Sequence, residues 1–386
     1  MALRRLSIGG NLDFDLTQEQ QLFADTTRRF LADESDLAAV RELAESDVGF
    51  DAAWWQRAAE LGWISLMVDE SAGGLGLGSQ GILYVGVVAE EVGRALAPGP
   101  LLPCSVVAAT LSRSGNASQR SEVLPALVAG EATASWCFAE GGRSWSADAV
   151  QLEAKREGSS YRLRGVKAPV EAAGQAQHLL VSARCDGELT QFLVPADAEG
   201  VTIEALEGLD LARRFARVRF DDVQADEDSL VGSPGSAEQD IEQQLQLALA
   251  ISCSESAGAV ARVFDFTLEW VFDRYSFGRP LASYQALKHR FADMKTYLEG
   301  CHASVSAALH AMADGSAEAA MLVRVAKAFV GERAPAIVQE CVQMHGGIGV
   351  TWEHDIHLYL RRVASNRVTF GEPREHRASI AGRLGI

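Results

Sequence analysis

The 386 residues, 48% of them hydrophobic, are enough to bury a large core spread over two or three units. A formal net charge of −17 and a pI near 5.0 exclude nucleic acid or an anionic membrane surface as the main partner, because both need dense positive patches. The six cysteines are scattered, with neither a Cys-x-x-Cys pair nor zinc-type spacing, so they read as reduced and structural. No apolar run reaches the length of a membrane span, and Met1-Ala2-Leu3-Arg4-Arg5-Leu6 leads into glycines and aspartates rather than a signal-peptide core. The expectation is a soluble, cytosolic protein.

Thr17-Gln18-Glu19-Gln20 fits a capping box opening a helix whose Leu22, Phe23, Phe30 and Leu31 are expected on one buried face. Helical periodicity continues to about Leu127, broken by the glycines at 73–78 and by Pro98-Gly99-Pro100. From about Ala132 to Val231 the texture changes to short alternating runs, such as Tyr161–Val166, His178–Ala183, Gln191–Val194 and Phe215–Phe220, separated by turn-formers. Ser233-Pro234-Gly235-Ser236 then precedes long helical stretches, including roughly Ile241–Arg274 and Arg324–Met344. The expected fold class is α+β: an N-terminal helical domain (1–131), a central β-domain of sandwich or barrel type (132–235) and a C-terminal helical bundle (236–386).

Two strings in the last segment could carry chemistry. In Arg274-Tyr275-Ser276-Phe277-Gly278-Arg279-Pro280, followed by Gln285, a guanidinium ends a long helix three residues before an aromatic. Such an arginine can fork onto a pyrophosphate; it can equally complement the helix dipole. In Gln343-Met344-His345-Gly346-Gly347-Ile348-Gly349, glycines permit close approach of backbone to a ligand, and the glutamine supplies an amide donor. A Gly-Gly-x-Gly break is also an ordinary turn between helices. His354 and His357, near His345 and His376 in sequence, make a metal site conceivable.

Taken together, these strings resemble the flavin-binding signature of the acyl-CoA dehydrogenase family. The resemblance extends over nearly the whole chain, through Leu61-Gly62-Trp63, Asp69 to Gly76, Glu90-Glu91-Val92-Gly93-Arg94 and Gly165-Val166-Lys167. It implies FAD as cofactor, no metal at these histidines, a four-helix C-terminal bundle that forms tetramers, and α,β-desaturation of an acyl-CoA with electron-transfer flavoprotein as acceptor. It further implies that Arg274, Phe277, Gln285, Gln343, Gly346 and Gly347 contact FAD, the Arg274 string acting on a neighbouring subunit's cofactor. Phe138 and Ala139 stand where the family places its flavin-ring contacts, with Glu171 where it keeps a neutral hydroxyl.

The resemblance also exposes a gap. The family's catalytic glutamate lies either in a C-terminal Tyr-Glu-Gly turn, which here reads Thr369-Phe370-Gly371, or on the first helix of the C-terminal domain, where the matching positions are Ala248 and Leu249. Neither holds a carboxylate. Glu255, two turns after Ala248, is a substitute base or else a structural carboxylate, and Glu372 reads as a surface ion pair. The chain therefore most resembles the base-lacking subunit of the α₂β₂ acyl-CoA dehydrogenases of bacteria that degrade steroid side chains. The rivals are a self-sufficient homotetramer using Glu255, a flavin-free scaffold, and a flavin oxidase or monooxygenase on the same fold.

Overall fold

The computed structural model of the chain describes residues 16–386 apart from Asp47 and Arg143. Met1–Leu6, which enter the expectations above, lie outside the described residues. Helices α1 (Gln18–Glu34), α2 (Leu37–Ala44), α3 (Ala52–Glu60), α4 (Gly81–Ala95), α5 (Leu101–Ser114) and α6 (Leu124–Val128) come first. Thr17 and Gln20 close a reciprocal capping box at the start of α1. Its buried stripe is Gln20, Ala24, Thr27 and Leu31, with Phe23 and Phe30 packed alongside. Leu22 departs from expectation: it is 64% exposed, because it falls about 200° around the helix from Gln20.

The middle of the chain forms β1 (Ala134–Cys137), β2 (Glu153–Glu157), β3 (Ser160–Glu171), β4 (His178–Cys185), β5 (Glu188–Pro195), β6 (Val201–Leu206), β7 (Phe215–Asp226) and β8 (Leu230–Val231). They make one continuous mixed sheet in the order β6-β7-β3-β2-β4-β5-β8, with β1 parallel to β4. Alternating residues of β3, β4, β5 and β7 bury Tyr161, Leu163, Val181, Phe192, Val218 and Phe220 in a core of the sheet's own.

Helix α7 (Glu238–Asp273) then runs through the centre of the protein. A two-stranded hairpin, β9 (Tyr275–Ser276) and β10 (Arg279–Pro280), connects it to α8 (Gln285–Ala313), which is followed by α9 (Ala319–His345), α10 (Ile356–Val368) and α11 (Pro373–Leu384). Close packing between α4 and α7 has a cause in the sequence. A Cβ on Gly93 would lie 2.0 Å from the Glu255 carbonyl oxygen, and one on Gly258 would lie 1.9 Å from that of Glu90, so only glycine lets the two backbones touch. Helix α7 is long enough, and apolar enough over one 18-residue stretch, to cross a membrane, but that stretch is almost wholly buried within the protein.

Candidate functional site

Strand β1, the end of β3, the start of α5 and the turn after α10 converge on one cleft. It is lined by Trp136, Phe138, Ala139, Glu171, Thr369 and Phe370 among others, and its free volume is only about 20 Å³. That holds roughly one water molecule. The space is filled by aromatic rings. Phe370, 7% exposed, lies 5.0 Å from Trp145 edge to face and 6.0 Å from Trp136, which stacks on Phe138 at 5.0 Å.

The turn carrying Phe370 is held firmly. Phe370 has φ 62°, a left-handed conformation that costs a non-glycine residue on the order of 1–2 kcal/mol. Lys327 Nζ, fully buried on α9, donates to the Asn366 and Thr369 carbonyls, and His376 Nε2 donates to the Phe370 carbonyl at 3.0 Å. Burial pushes the Lys327 ammonium down to about 8 and the His376 imidazole down to about 4.

Behind the cleft lies a buried ionic network that the sequence reading reached only through Glu255 and Glu171. Glu255, 2% exposed, receives Arg362 Nη1 on one oxygen at 2.7 Å, and Arg213 Nη2 at 2.5 Å with Asn366 Nδ2 at 3.1 Å on the other. Arg362 also binds Asp210, and Arg213 Nε lies 3.3 Å from Glu171. Burial raises the Glu171 carboxyl, opposed by Arg213. Both oxygens of Glu255 are thus occupied, and the residue does not line the cleft. Arg362 and Asn366, four residues apart on α10, were the available sequence signal: polar residues on one face of a helix opposite the glutamate of an apolar one. Glu372 caps α11 in a reciprocal box with Glu375 and pairs with Arg374 at 3.2 Å.

Ala248 and Leu249 are buried in α7 and bring no polar group to the cleft. On the far wall, Lys167 donates to Glu140 at 2.8 Å and to the Phe138 carbonyl at 3.1 Å, fixing the strand end that carries Phe138 and Ala139. Burial pulls Lys167 down, offset by Glu140.

The two glycine- and arginine-bearing strings meet at one end of the helical domain. Arg274 caps α7 and lies over Trp270 at 5.8 Å, and Trp270 stacks on His345 at 5.1 Å just before the Gly346-Gly347 turn. Thr267 Oγ1 fixes His345 at 3.1 Å. Phe277 and Gly278, both at positive φ, form the tip of the β9–β10 hairpin, which thrusts the Phe277 ring 98% into the open. Gln285 and Gln343 are exposed, and space is open around the α-carbons of Gly346 and Gly347. No carboxylate pairs with Arg274 among the described residues. His354 packs on His345 at 4.4 Å, His357 stacks on Trp352 and His376 lies under Phe370; no group of three metal-ligating side chains occurs among the described residues.

This surface and this cleft give different answers for FAD. The exposed arginine, the uncovered aromatic and the bare glycine backbone fit a pyrophosphate and an adenine. A cleft of about 20 Å³ does not fit a flavin ring beside an acyl thioester, since ligand sites run to roughly 300–1,000 Å³.

Helical segments flank a mixed sheet, and this cleft lies between them. Residues 17–131 match the acyl-CoA dehydrogenase N-terminal domain and residues 240–385 the acyl-CoA dehydrogenase C-terminal domain. The chain is 30% identical over 363 residues to the acyl-CoA dehydrogenase IpdE2 of Mycolicibacterium smegmatis, a match covering 93% of this chain and 97% of that one. Among solved structures, it superposes on a variant of the Tcur3481–Tcur3483 steroid ACAD with a TM-score of 0.85 at 29% identity, covering 95% of this chain and 97% of the other. It superposes on the ChsE4–ChsE5 complex of Mycobacterium tuberculosis with a TM-score of 0.87 at 25% identity, covering 97% and 99%. The chain belongs to the acyl-CoA dehydrogenase family, whose members are FAD-dependent oxidoreductases.

Proposed function

We propose that this chain is the base-lacking subunit of an α₂β₂ acyl-CoA dehydrogenase of the steroid-degrading type, working in the cytosol with a glutamate-bearing partner subunit and passing electrons to an electron-transfer flavoprotein. The observation that carries the reading is Phe370, an aromatic ring buried where a proton acceptor would stand, in a cleft with room for about one water. Likeness to a steroid ACAD and to a two-protein dehydrogenase complex supports the assembly and the substrate class. FAD, when bound, supplies a hydride acceptor for the substrate β-carbon. Arg274 would hold its pyrophosphate, Phe277 would cover its adenine, and Gln343 with the Gly346-Gly347 backbone would meet it across the subunit boundary.

Removal of a thioester α-proton needs a carboxylate in a dry pocket, within reach of that carbon. Glu255 is dry but occupied by two arginines and an asparagine, and Glu171 is turned to Arg213. In this chain the residues at the cleft exclude substrate, while the exposed strings complete a cofactor site whose chemistry belongs to the partner. The test is to purify the chain alone and co-expressed with a family member that retains the glutamate, then measure bound flavin and acyl-CoA desaturation. Turnover is expected only from the co-expressed pair.

A further inference from the structure

A second cavity, of about 640 Å³, opens between α1, α4 and α8, with Ser254 of α7 among its lining residues. It shares no lining residue with the aromatic cleft. Its size is that of a small-molecule site, and its lining combines apolar side chains (Ala24, Leu83, Val87, Val305, Leu309) with a few ionisable groups.

The charges in that lining are unequally satisfied. Arg28 grips both oxygens of Glu91, at 2.6 and 3.0 Å, and Glu299 is paired with Lys295 at 2.6 Å. Glu90 is held more loosely. Its partner is the His302 imidazole, whose Nδ1 lies 3.7 Å from Oε1, within ion-pair range but beyond hydrogen-bond length, and no hydrogen bond reaches its carboxylate among the described residues. The side chain is nonetheless 37% exposed, and Glu90 lines the cavity. Burial raises its carboxyl above the ordinary carboxylate range, as expected for an anion held below the surface without a full counter-charge.

We propose that this cavity is a binding site for a small primary alkylamine, whose ammonium group pairs with Glu90 while its alkyl chain lies on the apolar lining supplied by α1, α4 and α8. An ammonium brings one positive charge and three donors to a carboxylate that has no hydrogen-bond donor of its own. The apolar lining selects a cation carrying a hydrocarbon tail over a bare metal ion. The proposal is independent of the dehydrogenase reading, since none of these residues belongs to the aromatic cleft or to the proposed FAD contacts.

The test is isothermal titration of the purified full chain with n-hexylammonium, with n-hexanol and hexanoate as matched neutral and anionic probes. Saturable binding of hexylammonium is expected, with hexanol and hexanoate each at least tenfold weaker. Glu90→Gln should weaken hexylammonium at least tenfold, while Glu299→Gln, whose carboxylate is already paired, should change it less than twofold. Since Glu90 is partly exposed and makes no side-chain hydrogen bond among the described residues, the Gln variant should fold, which an unchanged melting temperature in the absence of ligand would confirm. No saturable hexylammonium binding, equal binding of hexanol, or an affinity unchanged in Glu90→Gln would each overturn the proposal.

Discussion

Phe370 and Trp145 meet edge to face at 5.0 Å across the cleft, so the turn after α10 and the loop after β1 are closed onto each other by two rings. The contact is made from a strained position, because Phe370 is left-handed at φ 62° and stays so only while Lys327 and His376 hold the carbonyls around it. Truncation should therefore cost stability. Phe370→Ala is expected to destabilise the chain by about 3–5 kcal/mol through the cavity it leaves, measurable as a lower denaturant midpoint at unchanged slope.

Restoring a carboxylate at that position should not restore chemistry. In Phe370→Glu the new group would be buried among Trp136, Phe138 and Trp145 with no partner, and Glu171 would still stand on the flavin side. Flavin bleaching of this variant by a panel of acyl-CoA thioesters is expected to be slow and independent of substrate. Rapid, substrate-dependent reduction would show an open cleft that lacked only its base.

Glu255 gives a separate prediction about stability. Its removal strands Arg213 and Arg362 without their shared anion, and breaking a buried pair from one side costs about 3–5 kcal/mol. Glu255→Ala should lower the unfolding free energy by an amount of that order. In the co-expressed complex, turnover per folded chain should be unchanged. A stable but inactive complex would return Glu255 to the chemistry.

Arg274 tests the cofactor surface. Arg274→Ala removes one charge-assisted contact to pyrophosphate, about 1.5–3 kcal/mol, and flavin retention by the assembled complex should fall roughly tenfold or more. Full flavin occupancy in that variant would remove the residue from the site.

Acid stability follows from two histidines. Burial holds His345 and His376 each at about 4, well below the ordinary imidazole value. Below about pH 6.5 the unfolded chain takes up protons on these side chains that the folded chain refuses, so stability is full above that pH and is lost as pH falls toward 4. The expected slope is on the order of 1 kcal/mol per pH unit per histidine. His376→Gln should flatten the slope by about half, read from urea midpoints across that range.

Much of this architecture is legible in the sequence because period and punctuation are local properties. The capping box at Thr17, the alternation in Phe215–Phe220 and the glycines at 346–347 each specify their own backbone. The hairpin that exposes Phe277 was not readable, because its two-residue strands are too short to show an alternation. The ionic network was not readable, since Asp210, Glu255 and Arg362 are distant in sequence and only the packing of α7 against α10 brings them together. Trp145 escaped notice as well. It sits in an irregular loop, with no periodicity to aim it at Phe370. Leu22 faces solvent because its angular position on α1, not its apolar character, decides its burial.

The most direct measurement of the base-lacking assignment is anaerobic flavin reduction, followed by absorbance, in flavin-loaded preparations challenged with short-chain, long-chain and steroid-side-chain acyl-CoA thioesters. A homogeneous preparation of this chain should show no substrate-dependent bleaching, and the same thioesters should bleach the flavin once a glutamate-bearing partner is co-expressed. Rapid bleaching by the homogeneous chain would contradict the assignment, because it would place both an open cleft and a working base within this chain.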